Sequence, residues 1–188
     1  MGSLLHETEV RRFTAEEYDR LGELGVISST ERVELIEGII CKMGPEGKRH
    51  VAAIELALDL FTARLKGRYR VRTQHPLTVA MDSEPEPDIA IVERADPRAY
   101  LDAHPVTALL VVEISETSLE KDLNLKAGLY ARAQILEYWV VNLVDDTLVV
   151  FREPSSEGFQ TSRTLKRGER ITPLSFPEVE VAVDELLP

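Results

Sequence analysis

The sequence predicts a single α/β domain in which a mixed β-sheet is flanked by helices. Three observations support this prediction: helical and strand-like segments alternate along the chain, one strand-like segment is almost wholly apolar, and no segment repeats. A length of 188 residues suits one domain with its own core. We therefore take residues 1–188 as one domain and expect residues 1–10 to be flexible.

The N-terminal third is predicted to contain a short helix, a hairpin and a long helix. Thr14 and Glu17 form a capping-box pattern, which predicts a helix that ends near Gly22. The segment "RVELIEGIICKM" predicts two short strands that meet at Gly38. A long amphipathic helix should then extend from about Pro45 to the residue before Gly67. The apolar residues that recur at helical spacing in it are Ile54, Ala57, Leu58, Phe61 and Leu65.

The rest of the chain is predicted to be mostly strands. Four short segments rich in β-branched or aliphatic residues each predict a strand: "YRVRT", "PLTVAM", "PDIAIV" and "TALLVVEI". The last of them is nearly all apolar and should lie at the centre of the sheet. A helix from Ser118 to Ala133 follows, and "EYWVVN" with "TLVVFRE" predicts a hairpin. Small strands are expected near Phe159 and Val179.

Charge and composition restrict the function. The formal net charge of −11 disfavours sequence-independent nucleic-acid binding, because an acidic surface repels phosphate. It does not exclude a metal enzyme, since carboxylates that hold a divalent ion are counted without the ion. The single cysteine cannot form an internal disulfide, and no apolar run approaches the roughly 18 residues of a membrane span. We expect a cytoplasmic protein without a membrane partner.

Two carboxylates in strand-like segments predict a divalent-metal site. Glu113 ends the most apolar segment of the chain, where a free carboxylate is costly unless a cation compensates for its lost hydration. Asp88 begins the segment "DIAIV", and adjacent strands could bring the two side chains together. Mg²⁺ takes such oxygen ligands, with water and substrate phosphate completing its coordination.

Lys126 lies in the apolar arc of the helix predicted from Ser118 to Ala133. A solvated lysine would normally occupy the opposite face, so the ammonium group should point towards the interior or a cleft. The alternative is that Lys126 pairs with Asp122, four residues earlier, or that its aliphatic stem covers apolar surface. The other residues on this face are Leu119, Leu123, Tyr130 and Ala133.

Three stretches resemble the Uma2 family of restriction-endonuclease-like proteins, part of the PD-(D/E)xK nuclease superfamily. They are "PDIAIV", "LLVVEIS" and "DLNLKAGLYARAQILEYWVVN", and the similarity extends over roughly residues 11 to 187. The resemblance implies a restriction-endonuclease-like fold, Mg²⁺ (or Mn²⁺) as cofactor, hydrolysis of DNA and a homodimer. The alternative is a nuclease fold that no longer cleaves and acts as a binding or assembly module.

The resemblance also implies roles for individual residues. Asp88 and Glu113 would bind the metal, and Lys126 would replace the lysine that the superfamily places two residues after the glutamate. That position is Ser115 here. Glu34 matches an additional acidic residue near the metal. Glu37 is the alternative, because the two acids point to opposite faces of a strand.

Three further residues are candidate supports of this site. His50 falls on the apolar side of its helix. This position is equally compatible with a hydrogen-bonded histidine in the core and with a histidine of the active site. Tyr130 could support the lysine. Asp122 lies at the edge of the apolar arc that contains Lys126.

Overall fold

The structure, a computed structural model, describes residues 10–188 and contains a six-stranded mixed β-sheet with helices on both faces. The predicted flexibility of residues 1–10 falls, except for Val10, outside the described residues. In chain order the elements are α1 (Ala15–Glu23), β1 (Val33–Ile36), β2 (Ile39–Lys42), α2 (Lys48–Leu65), β3 (Tyr69–Thr73), β4 (Ile89–Glu93), β5 (Leu110–Ser115), a π-helical turn (Lys121–Lys126), α3 (Ala127–Arg132), β6 (Glu137–Asn142), β7 (Thr147–Ser155), β8 (Gly158–Lys166), β9 (Arg170–Ile171) and β10 (Val181–Ala182).

The N-terminal elements form as their sequences predict. The hydroxyl group of Thr14 accepts the backbone N–H of Glu17, and the Glu17 carboxylate accepts the backbone N–H of Thr14, which completes the capping box of α1. Strands β1 and β2 pair as an antiparallel hairpin. Gly38 lies in its turn with a φ of +75°, a conformation that favours glycine. Helix α2 begins at Lys48, slightly later than predicted, with Gly47 as its N-cap.

The large sheet has the strand order β3-β4-β5-β6-β7-β8. Its neighbours are antiparallel except β5 and β6, which are parallel and are joined through the π-helical turn and α3. This connection is expected, because parallel strands need a crossover rather than a tight turn. All six residues of β5 are buried, which confirms its predicted central position.

The two faces of the sheet have separate cores. Helix α2 packs on the face that carries Val112 and Ile114, together with the C-terminal segment. Helix α3 packs on the opposite face, against Val111 and its neighbours. Because side chains alternate along a strand, Glu113 points to the same face as Val111 and therefore towards α3. Within residues 10–188, no helix has the length and apolar character required to cross a membrane.

One strand prediction is wrong, and the length of another strand was underestimated. The segment "PLTVAM" forms only an isolated bridge between Ala80 and Ser83. Its amides bond to different loops, since Leu77 donates to the Pro85 carbonyl and Thr78 to the Pro105 carbonyl, so no single partner strand is available. The strand near Phe159 is not small. It is the nine-residue β8, which pairs along β7 although most of its side chains are exposed and polar.

Candidate active site

A cleft of about 320 Å³ opens beside the β1–β2 hairpin, the start of α2 and the π-helical turn. The acidic side chains that line it outnumber the basic ones by two, so a divalent cation would balance its charge. The acidic residues are Glu34, Glu46, Glu86, Asp88, Glu113 and Asp122, and the basic residues are Arg32, Lys42, Lys121 and Lys126.

Asp88 and Glu113 meet where β4 begins and β5 ends. The antiparallel register pairs Ile89 with Val112, which brings Asp88 opposite Glu113. The Asp88 backbone N–H donates to Glu113 Oε2 at 3.3 Å, and the Ile114 backbone N–H donates to Asp88 Oδ2 at 2.8 Å. Backbone donors therefore hold the two buried carboxylates at one end of the cleft.

Lys126 extends its ammonium group between two buried carboxylates. Its Nζ atom lies 2.8 Å from Glu113 Oε1 and 3.1 Å from Glu34 Oε2, and the residue is only 4% exposed. Burial alone would lower the pKa of Lys126, but the charges of Glu113 and Glu34 raise that pKa above its ordinary value. Lys126 is therefore a fixed cation in this cleft.

Asp122, the alternative partner of Lys126, has different contacts. Its Oδ2 atom accepts hydrogen bonds from the hydroxyl groups of Ser115 at 2.6 Å and Ser118 at 2.5 Å. Burial raises the pKa of Asp122, while the Lys126 charge and the two hydroxyl donors oppose that shift. Ser115 and Asp122 thus tie the end of β5 to the start of the following helix.

The helix after β5 differs from the regular helix predicted from Ser118 to Ala133. Its segment Lys121–Lys126 is a π-helical turn, in which hydrogen bonds join residues five apart. Lys121 and Lys126 consequently project to the same side, and both form ion pairs with Glu34. Sequence reasoning missed Lys121, because a projection at 100° per residue separates these two lysines.

The structure separates the two alternatives Glu34 and Glu37. Glu34, on β1, is 1% exposed and lies in the cleft. Burial would raise the pKa of Glu34, but Lys126 and Lys121 lower it overall. Glu37 lies in the hairpin turn and pairs with Arg132 outside this cleft.

Tyr130 contacts Glu113 rather than the lysine itself. Its hydroxyl group donates to Glu113 Oε1 at 3.1 Å, and its ring packs on Tyr138 with the centroids 4.9 Å apart. Burial raises the pKa of Glu113, although the Lys126 charge opposes that shift. Burial also raises the pKa of Tyr130 well above its usual value, so its phenol keeps the proton that it donates.

His50 lies at the rim of the cleft. Its Nε2 atom is 3.2 Å from Asp88 Oδ1. Glu46 is close by, and ligand atoms of Glu46, His50 and Asp88 all lie within 4.8 Å of one another. Glu46 was not among the residues selected from the sequence, since no metal-ligand spacing connects it with Asp88. These acidic and imidazole groups could hold a metal ion.

Comparisons with known proteins agree with this fold. The model of the Uma2 family, described as "Putative restriction endonuclease", matches residues 15–184. A crystal structure titled as that of a "putative nuclease belonging to DUF820" from Anabaena variabilis ATCC 29413 is similar, with a TM-score of 0.70 and 17% sequence identity. The similarity covers 93% of this chain and 97% of that chain, and it confirms the nuclease-like α/β fold. The curated proteins contain no match to the chain.

Proposed function

Because the chain belongs to the Uma2 family, described as "Putative restriction endonuclease", we propose that it is a metal-dependent endonuclease that hydrolyses phosphodiester bonds in DNA. The observation that carries this proposal is the meeting of Asp88, Glu113 and Lys126 in one cleft. Two buried carboxylates beside a buried cation are costly for the fold alone, and perturbed groups of this kind concentrate at functional sites.

The donor set fits a hard divalent cation such as Mg²⁺ or Mn²⁺. Asp88 and Glu113 would hold the ion, and Glu34 would contribute directly or through water. The excess of two acidic over basic side chains in the cleft supports this assignment, because a bound cation would favour the ionised carboxylates. When bound, such an ion lowers the pKa of a coordinated water and withdraws charge from phosphate oxygens.

Lys126 would supply positive charge to the reacting phosphate rather than accept a proton. Its raised pKa keeps the side chain as an ammonium ion at neutral pH, which makes it a poor general base. A preorganised cation stabilises the negative charge that develops in the transition state. Glu113 and Glu34 would hold this cation in position, and Tyr130 would in turn fix Glu113.

The second candidate is a nuclease fold that binds or assembles without cleaving. The net charge of −11 favours this function, because an acidic protein attracts DNA poorly outside its metal site. The pairing of Lys126 with two carboxylates also leaves less positive charge for a phosphate.

A homodimer is part of the proposal. Strand β8 forms one edge of the six-stranded sheet, and an edge strand can pair with a second copy of the chain. Size-exclusion chromatography with light scattering would give a mass close to 42 kDa, twice the 21.1 kDa chain.

Plasmid cleavage tests the nuclease activity. Wild-type protein should nick or linearise plasmid DNA when Mg²⁺ or Mn²⁺ is present and should be inactive in EDTA. Glu113→Gln should abolish cleavage, because it removes a ligand charge from the cleft. The matched control is Glu37→Gln, a glutamate outside the cleft, and it should cleave like wild type. Wild-type protein that cuts neither DNA nor RNA with either ion would support the non-cleaving module.

A further inference from the structure

A second cavity lies at the opposite end of β4 and β5 from the candidate active site. It has a volume of about 310 Å³ and is bounded by the end of β4, the residues just before β5 and the segment between these strands, which includes a 3₁₀ helix (Pro97–Leu101). Much of its lining is apolar: Val92, Val106, Ala108, Leu109 and Leu136. A concave, mainly apolar cavity of this volume suits a small molecule.

Two polar groups of residues that line this cavity lack hydrogen-bond partners. The Tyr100 hydroxyl group and the His104 Nδ1 atom are both buried, and neither has a partner within residues 10–188. Buried polar atoms without partners are uncommon in folded proteins and cost stability. A ligand that reached these atoms would satisfy them without breaking any hydrogen bond of the protein.

Two arginines of β3 lie against the wall of the cavity. Arg70 is the register partner of Val92, and its Nη2 atom donates to the Ala95 carbonyl at 3.4 Å. Val92 and Ala95 both line the cavity. The guanidinium carbon of Arg72 lies 4.5 Å from the centroid of the Tyr100 ring. The two arginines therefore place positive charge directly behind the lining.

The positive charge of these arginines has no acidic partner. Arg72 is only 6% exposed, its Nη2 atom donates to the Pro76 carbonyl at 3.2 Å, and its Nε atom has no partner among the described residues. Arg68 pairs with Glu178, whereas neither Arg70 nor Arg72 forms an ion pair in the part of the chain that the structure describes. Because a buried guanidinium is rarely left without an anion, this cavity favours a negatively charged ligand.

His104 does not supply this positive charge. Burial lowers the pKa of His104, so its imidazole ring is neutral at neutral pH. Asp19 and Glu84 each have a carboxylate oxygen within 4.8 Å of a ring nitrogen of His104. The preference for an anion therefore rests on Arg70 and Arg72.

We propose that this cavity binds a small apolar carboxylic acid, with its hydrocarbon part against the apolar lining and its carboxylate beside Tyr100 and the two arginines. The carboxylate would accept a hydrogen bond from the Tyr100 hydroxyl group and compensate the charges of Arg70 and Arg72. The inference does not depend on the proposed nuclease, because no residue that lines this cavity also lines the active-site cleft.

The competing explanation is structural. Arg72 could stack on Tyr100 only to hold the 3₁₀ helix on the sheet, since such cation–π contacts stabilise proteins without any ligand. This explanation predicts no selective binding of carboxylic acids.

NMR titration of the full isotope-labelled chain in EDTA separates the two explanations. Wild-type protein should bind phenylacetate with a dissociation constant below about 1 mM, and resonances of the cavity residues should shift. Phenylacetamide should bind at least about tenfold more weakly, because it has the same shape without the charge. A second pair of probes, 3-methylbutanoate and its amide, should show the same preference.

Variants test the residues that carry the proposal. Tyr100→Phe should weaken phenylacetate binding roughly tenfold without lowering the melting temperature, because the lost hydroxyl group has no partner in the described structure. Arg72→Gln should reduce the preference for acid over amide, a ratio that a purely structural arginine would not affect. Arg70→Gln, at a less buried arginine, gives the same test if Arg72→Gln does not fold. Tyr69→Phe is the matched control, since Tyr69 lies under Arg68 but outside this cavity.

Three results would overturn the inference: failure of both acids to bind wild type, equal affinities for acid and amide, or an unchanged preference in a folded arginine variant. Resonance shifts confined to the active-site cleft would also overturn it, because they would place the carboxylate elsewhere. Binding should persist in Glu113→Gln, so that loss of the proposed nuclease activity and loss of this cavity's ligand are distinguishable.

Discussion

Lys126 is a buried cation whose charge is balanced by two neighbouring carboxylates. The ammonium group lies 2.8 Å from Glu113 and 3.1 Å from Glu34, and all three side chains are buried. Removing either acid would leave a buried cation with less compensation, which is strongly destabilising. The same contacts hold the cation in the cleft that Asp88 also lines, where the metal is proposed to bind. Lys126 therefore contributes both to the stability of the cleft and to its proposed chemistry.

We expect Lys126→Ala to lower DNA cleavage by roughly 100-fold or more, because the transition state loses a preorganised positive charge. Metal binding should largely persist, since Asp88 and Glu113 are unchanged. Adding Ser115→Lys should recover part of the rate, because Ser115 points to the same face of β5 as Glu113. Cleavage rates and calorimetric metal titrations of the single and double variants measure both effects.

The control for this pair is Lys166→Ala, which removes an exposed lysine on β8. It should cleave DNA at the wild-type rate. Full activity in a folded Lys126→Ala protein would show that Lys126 serves packing and charge balance only, even if the metal site is correct.

At the scale of secondary structure, the π-helical turn determines which side chains reach the cleft. It places Lys121 and Lys126 about one turn apart, so that both pair with Glu34 of β1. In a regular α-helix the same spacing of five residues would turn one lysine away, whereas a spacing of four would keep both on one face. The π-helical turn therefore accommodates the fifth residue of this spacing and still keeps both lysines on the side that faces Glu34.

Deletion of Asn124 tests this explanation. Asn124 is exposed, and its side chain donates only to the Glu120 carbonyl within the same helix. Without it, the segment should relax to an α-helix with the two lysines four residues apart and both still facing Glu34. We expect thermal stability and DNA cleavage to remain close to those of the wild type.

Insertion of one alanine after Asn124 is the opposite change. A spacing of six residues aligns the lysines in neither helix type, so cleavage should fall by roughly 100-fold as Lys126 loses Glu113. If the deletion and the insertion reduced cleavage equally, activity would depend on the length of the helix and not on the direction in which its lysines project, which would contradict this explanation.

At the scale of the whole molecule, Glu84 connects α1 and the β1–β2 hairpin to the rest of the domain. Its backbone pairs with Leu35 of β1, and its side chain accepts the Thr78 hydroxyl at 2.6 Å. Burial raises the pKa of Glu84 to about 7, and the nearby charges of Asp19 and Glu86 act in the same direction. The folded protein therefore favours the protonated acid.

A raised carboxyl pKa makes stability fall as pH rises. The contribution of Glu84 should be fully present below the unfolded value of about 4.5 and lost once the pH passes about 7. We expect Glu84→Gln to raise the melting temperature relative to wild type at pH 8 and to make little difference near pH 5. Melting curves in EDTA, with exposed Glu157→Gln as the control, give this comparison. A difference between Glu84→Gln and wild type that does not vary with pH would contradict the assignment.

Most of the architecture follows from the sequence, because its causes are local. The capping box at Thr14, the hairpin turn at Gly38 and the apolar run that becomes β5 each specify one structure through short-range chemistry. The nuclease family resemblance is confirmed by the match over residues 15–184. Asp88, Glu113 and Lys126 could be selected because charged residues stand out against the apolar segments that surround them.

Tertiary structure decided the features that depend on distant partners. The segment "PLTVAM" has a strand-like pattern, yet its amides meet two separate loops and no partner strand. Glu34 rather than Glu37 enters the cleft because the hairpin docks on one face only, and Lys121 joins it because the helix adopts a π-turn. Glu46 and His50 reach Asp88 through the packing of α2 beside β4. A sequence pattern reflects the secondary-structure propensity of each residue, whereas these contacts depend on how segments far apart in sequence are arranged.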